Sequence, residues 1–534
     1  MHIHTEGYVT DLAYVAHFQR ELTPDFIRFC LLMSGADLPE RAGDEPFRYL
    51  ELGYGQGLSL NVHAAAVPGE FWGTDFMQEH ATNAQGMATA AGLGNVHALN
   101  MSFADLEAYG AAGNLPAFDL ITLHGVWSWI NVENREYIQN IIRRHLKPGG
   151  VVYVSYNALP GWASFMPARE LMIRYVDATG VGLDSGTQTR QAFAFAKSFA
   201  ESGAAFFAEH PHVKEKLESL QGESVQYLAH EYMNRNWQPF YFEDVAKEMV
   251  AAQCGFVTSM HSQVRLGAYL PPETLSILDA APNATMRETL YDFAVNRTFR
   301  ADLYMKDLHL LSPAEHVERL NGLCFALSNP MAFFDRLPHF SIPTQLGSII
   351  LREETIVPLL ATLAEKSCTP KSFDFLRNHR RLADMKEDYL LYLIAMLTCA
   401  GYLHVARESV PQETRDACAR LNYVLCEQAR AGEGHSFLAS PVTGTGIAAT
   451  RMERLFLLAR ANGATEPEDW AAFVCKVYAD TGTAITDSDG HPLWPENVFP
   501  HVARIAAVFA SEQFPYLRAM GALPASDFLG GSKL

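Results

Sequence analysis

Short apolar runs, each closed by glycine, proline or charged residues, recur through the first third of the chain. They predict strands at 47–52, 70–74, 96–100, 118–123 and 150–155. Helically spaced apolar positions lie between them, notably over 134–146. That helix stops at Lys147-Pro148-Gly149-Gly150, a proline and glycine signal just past the last turn. Alternating strand and helix predicts a parallel, doubly wound α/β sheet, with ligands bound at the C-terminal strand ends. Residues 1–45 read as helices leading into this fold. Residues from 165 to 245 read as mostly helical, and Cys254-Gly255-Phe256-Val257-Thr258, within 251–270, reads as a strand returning to the sheet. Residues from 290 to 410 read as helical, with a helix and then a strand at the end. The expected domains are 1–185, 186–320 (helical, middle), 321–410 (helical, winged-helix-like) and 411–534 (helical, C-terminal). Ser440-Pro441-Val442-Thr443-Gly444-Thr445-Gly446 lacks the Gly-Lys-Ser/Thr of a phosphate loop and reads as a turn. The apolar stretch 389–406 contains Thr398, Gly401 and His404. It reads as a buried helix and a short strand, so no membrane insertion is expected.

The first strand runs into Glu51-Leu52-Gly53-Tyr54-Gly55-Gln56-Gly57, and Asp75 closes the second. A turn without side chains lets a ligand lie against the backbone. A carboxylate at the next strand tip suits a ribose diol. Together they predict a nucleoside-bearing cofactor. A dinucleotide fingerprint needs a third glycine at 58 or 60, and both positions are leucine. The acid ahead of the glycines suits a ligand that carries an ammonium and a sulfonium instead of a pyrophosphate.

Other strand ends add candidates. Asn100-Met101-Ser102-Phe103-Ala104-Asp105 follows the third strand; Asp105 either binds a base or caps the next helix, and Phe103 could cover the base. His124-Gly125-Val126-Trp127-Ser128-Trp129 follows the fourth, with Trp127 read as pocket wall and Trp129 as core anchor. His124 is either a proton acceptor or a satisfied strand-end histidine. Tyr156 and Asn157 end the fifth strand, and Tyr156 is a second candidate proton acceptor. No metal site is expected: His230-Glu231-Tyr232-Met233-Asn234 lacks the second histidine of a zinc helix, and neither His2 with His4 nor His210 with His212 has a third ligand in reach.

A net charge of −19 disfavours a nucleic-acid partner. Eight scattered cysteines, none in a Cys-x-x-Cys pair, read as reduced residues of a cytoplasmic protein. Residues 1–20 show no basic segment followed by an apolar stretch, so no signal peptide is read.

With these residues in view, the chain resembles bacterial class I S-adenosylmethionine (SAM) methyltransferases fused to a methyltransferase regulatory domain. The matching stretches are Glu51 to Gly57, Phe118-Asp119 through Trp129, and Lys147 through Asn157 to Pro160-Gly161-Trp162. Tyr227 to Asn234 with Trp237 and Tyr241-Phe242 resembles the start of the regulatory region, and Tyr8 to Tyr14 the family's opening. The resemblance implies a Rossmann-like class I methyltransferase sheet with large, mainly helical middle and C-terminal domains. It implies SAM contacts from Glu51, Gly53, Gly55, Gly57, Asp75, Phe76, Ser102, Phe103, Asp105 and His124. It implies catalytic roles for His124 and Tyr156, and substrate contacts from Trp127, Tyr156, Asn157 and Trp162. Characterised relatives are protein-lysine methyltransferases that modify an outer-membrane protein. A lysine-bearing protein substrate and a homodimer are expected by analogy. Methylation of a small molecule or sugar, and non-catalytic SAM binding, are the alternatives.

Overall fold

Seven strands form the central sheet: β1 (Arg48–Leu52), β2 (Glu70–Asp75), β3 (Val96–Asn100), β4 (Phe118–Leu123), β5 (Leu146–Asn157), β6 (Cys254–Ser259) and β7 (Phe299–Lys306). Their order is β3-β2-β1-β4-β5-β7-β6, with β7 antiparallel to both neighbours and the β1–β5 pairs parallel. This is the Rossmann-like class I methyltransferase arrangement. The computed structural model describes residues 11–12, 17–40, 43–260, 270–344, 346–432, 434–487 and 490–525. His2, His4, most of the Tyr8–Tyr14 stretch and residues 261–269 lie outside them.

Side-chain alternation splits the sheet into two apolar faces. Tyr49, Phe71, Leu120, Tyr153 and Leu303 face one core, while Leu50, Ile121, Val152, Val154 and Tyr304 face the other. The first core is continuous with the C-terminal half. There the helix Leu58–Ala66, buried at all nine positions, is covered by the helix Gln412–Gln428 and by the hairpin of Phe437–Ser440 with Thr445–Ala448. Arg407 donates to the Ala66 carbonyl at 2.7 Å and so caps that helix from the distant chain segment.

The first four strands fall within one residue of expectation. β5 starts earlier, because Leu146 already pairs with Phe118 before the register shifts at Leu120↔Val151. β7 departs from the expected helical 290–410 region. Its sequence, Phe-Arg-Ala-Asp-Leu-Tyr-Met-Lys, places two opposite charges two residues apart on one face. Arg300 pairs with Asp302 through two hydrogen bonds, of 2.8 and 3.0 Å, and with Asp292 at 2.7 Å. The pair neutralises itself inside the core, which a polarity pattern cannot anticipate. The same region also holds the strands Cys324–Leu327, Ser341–Thr344, Gly347–Ile350 and Lys371–Ser372. The stretch 389–406 is a helix, Glu387–Cys399, and a strand, Leu403–Ala406. No helix among the described residues is long and apolar enough to cross a membrane. All eight cysteines are unpaired.

Candidate active site

β1, β2, β3, β4 and β5 end around one cavity of about 580 Å³, within the size range of small-molecule and cofactor sites. On one side are Glu51, Gly53, Gly55, Asp75, Phe76 and Phe103. On the other are Ser128, Trp129, Asn157, Trp162, Tyr232 and Phe299.

The glycine loop is fixed by the second strand. The Gly55 N–H donates to Asp75 Oδ2 at 3.0 Å, and Asp75 Oδ1 accepts from the Met77 N–H at 2.9 Å. His80 Nδ1 lies 3.1 Å from the same oxygen, and its Nε2 is buried without a partner. A carboxylate has about four acceptor positions, so Asp75 keeps capacity for a sugar hydroxyl. A Cβ on Gly55 would meet no atom within 4 Å, which leaves its space to a ligand. Gly57 differs. Its φ of +77° starts the helix Leu58–Ala66, and a Cβ there would lie 2.3 Å from Ala84 Cβ. Packing against Ala84 holds this position to glycine, and Gly57 is not among the residues that line the cavity.

Glu51 is buried, and its carboxylate accepts from the Tyr49 hydroxyl at 3.3 Å. Burial pushes its pKa up to about 8. An acid this uncomfortable as an anion suits a site completed by a cationic ligand. Ser102 and Phe103 line the cavity, but Asp105 does not. Asp105 is exposed and forms a capping box with Ser102, as the cap reading expects.

His124 and Gly125 line the cavity below β4. His124 Nδ1 lies 2.8 Å from the Tyr153 hydroxyl. Burial pushes its pKa down to about 4, so the ring is neutral at pH 7 and a weak base. Trp127 departs from its reading as pocket wall, while Trp129 packs in a core cluster as expected and also borders the cavity. Trp127 is fully buried in the core beneath the sheet, and Trp129 reaches the cavity. A 3-10 turn, Trp127–Trp129, turns successive side chains to different sides.

Tyr156 borders the cavity, but its hydroxyl donates to Asp302 at 2.8 Å inside the Arg300 network. Burial, then the Asp302 charge, raises it well above the ordinary tyrosine value. Its oxygen is therefore engaged elsewhere and cannot serve as the proton acceptor. Asn157 is fixed by backbone bonds to Ser128 Oγ and the Phe240 N–H, while its buried Nδ2 has no partner. Trp162 lies on the acceptor side, its indole donating to the Thr298 carbonyl at 2.9 Å. No group of three metal-ligating residues occurs among the described residues.

Several cavity residues had no role in the sequence reading. His80 and Tyr54 sit near residues that did. Tyr227, Glu231 and Tyr232 lie in a stretch read for its resemblance and for the zinc helix it fails to form, and Lys216 had no signal at all.

Comparison with known proteins follows this geometry. A methyltransferase domain model matches residues 50–150, and a "Predicted methyltransferase regulatory domain" model matches residues 224–306. An uncharacterised protein of Synechocystis is 33% identical over 520 residues, 97% of this chain and 99% of its own. The chain belongs to the class I methyltransferases that carry a methyltransferase regulatory domain. It is a SAM-dependent methyltransferase. An uncharacterised Rickettsia prowazekii protein is 28% identical over 260 residues, covering 48% of this chain and 46% of its own. In fold, the chain is similar to PKMT2 of Rickettsia typhi in complex with AdoHcy. That match has a TM-score of 0.68 and 19% identity, and covers 96% of this chain and 99% of the other. The regulatory match contains β6 and β7, so that region completes the methyltransferase sheet and walls the cavity with Tyr227 and Phe299.

Proposed function

We propose that this methyltransferase modifies lysine side chains of a protein. The observation that carries this reading is the aromatic and amide lining opposite the glycine loop: Trp129, Trp162, Tyr232 and the unpartnered Asn157. Aromatic faces suit an alkylammonium and its methylated products. The family resemblance and the full-length fold likeness to PKMT2 support the same substrate class.

Glu51, Gly53, Gly55, Asp75, Phe76, Ser102 and Phe103 would hold the cofactor. The fit rests on the open space at Gly55, the anion-averse Glu51 and the spare acceptor capacity of Asp75. When bound, SAM supplies an electrophilic methyl group on sulfur. The protein's part is positioning and exclusion of water. Asn157 and Trp129 would orient the acceptor amine, and His124 would stand as a neutral polar wall. Removal from water lowers an amine's affinity for its proton, which must leave to solvent before the lone pair can take the methyl group.

The test uses methyl-labelled SAM and extract proteins, with and without prior acetylation of lysines. Label should enter protein and vanish after acetylation. Label surviving acetylation, or entering only small molecules, contradicts lysine as the acceptor.

A further inference from the structure

Lys216 is an unusual resident of this cavity. It projects from the helix Pro211–Ser219 to the acceptor side. Its Nζ lies 3.9 Å from the centre of the Trp162 ring and 4.8 Å from that of Phe165. Among the described residues its ammonium makes no ion pair, and burial lowers its pKa. Two ring faces therefore hold a lysine ammonium at the place where the proposed function needs one. Those rings are fixed: Trp162 is anchored to Thr298, and Phe165 and Trp237 pack against it edge to face. The lysine is not. It rides on a nine-residue helix exposed at Pro211, His212, Glu215, Glu218 and Ser219, and a long lysine stem can carry its charged head to water.

We propose that Lys216 is a built-in pseudosubstrate, occupying the aromatic corner that the substrate's alkylammonium takes and leaving when that group enters. The inference rests on the lysine reading above. Its chemical consequence is competition: one cation–π site serves either the resident or the incoming ammonium, and two like charges cannot share it. Substrate affinity is then set partly by the cost of ejecting Lys216. A protein whose flanking residues bind the cleft can meet that cost, whereas a free amine meets it with weakened affinity, so the resident lysine favours protein substrates.

Two measurements on the full chain test this. In the first, n-butylammonium is titrated and tryptophan emission followed. Lys216→Ala should bind it three- to tenfold more tightly than wild type, and Lys216→Arg, which keeps a stacking cation, should bind it as wild type does. In the second, Lys216→Ala should lower KM for a lysine-bearing peptide by a similar factor, while Lys216→Arg should keep the wild-type KM. Equal n-butylammonium affinity in wild type and Lys216→Ala, or binding to neither, overturns the inference. A lysine peptide that receives no methyl group from either protein refutes the lysine reading instead, and the butylammonium comparison still decides the role of Lys216.

Discussion

Glu51 sets folding against binding. Its carboxyl titrates near 8 in the folded chain, against an ordinary value of 4.5. Between these values the unfolded chain has released the proton and the folded chain has kept it. Stability therefore falls as pH rises from 4.5 to 8. Glu51→Gln removes the penalty, so its melting temperature should exceed wild type's by a margin that grows from pH 5 to pH 8. The same substitution should weaken binding of S-adenosylhomocysteine, whose ammonium would sit near Glu51. Such binding should also release up to about one proton at pH 7, detected as a difference in binding heat between Tris and phosphate buffers. The tryptophans give a second contrast. Trp127→Ala empties a buried core position and should cost about 3–5 kcal/mol, read by denaturant unfolding. Trp129→Ala should cost less stability and raise KM for the acceptor. Sequence placed both residues at the right strand end but read Trp127 as the pocket wall, because a single 3-10 turn decides which indole faces the cavity.

At the scale of elements, the glycine loop separates into parts with different work. Gly55 faces open space, whereas Gly57 meets Ala84. Gly57→Ala should lower the melting temperature by unseating the helix Leu58–Ala66 from its neighbour. Gly55→Ala should mainly weaken S-adenosylhomocysteine binding, by roughly tenfold or more. A thermal melt and a titration on both variants would separate these effects. The loop and the first five strands were legible because each is a local pattern: an apolar run, a glycine cluster and an acid at the next strand tip. β7 was not legible. Arg300 and Asp302 look like surface residues until each is seen to bury the other, with Asp292 and Tyr156 completing the network. Lys216 was hidden for a similar reason, since its partners Trp162 and Phe165 lie about fifty residues away in sequence.

The whole molecule is more interlocked than a catalytic domain with appendages. Residues matched by the regulatory model supply the last two strands and one wall of the cavity. The C-terminal half covers the helix that follows the glycine loop and caps its end through Arg407. The cofactor side thus comes from the first 110 residues or so and the acceptor side from chain segments up to Phe299. This division explains why sequence could specify the cofactor far better than the substrate: one motif is contiguous and the other is assembled. We propose that S-adenosyl ligands lie on the Gly53–Gly55 loop and are held by Asp75. Isothermal titration with S-adenosylhomocysteine tests it most directly. One site per chain is expected in wild type, with a loss of binding of at least tenfold in Asp75→Ala. Absence of binding heat in wild type across several buffers and temperatures, or undiminished affinity in Asp75→Ala, would contradict it.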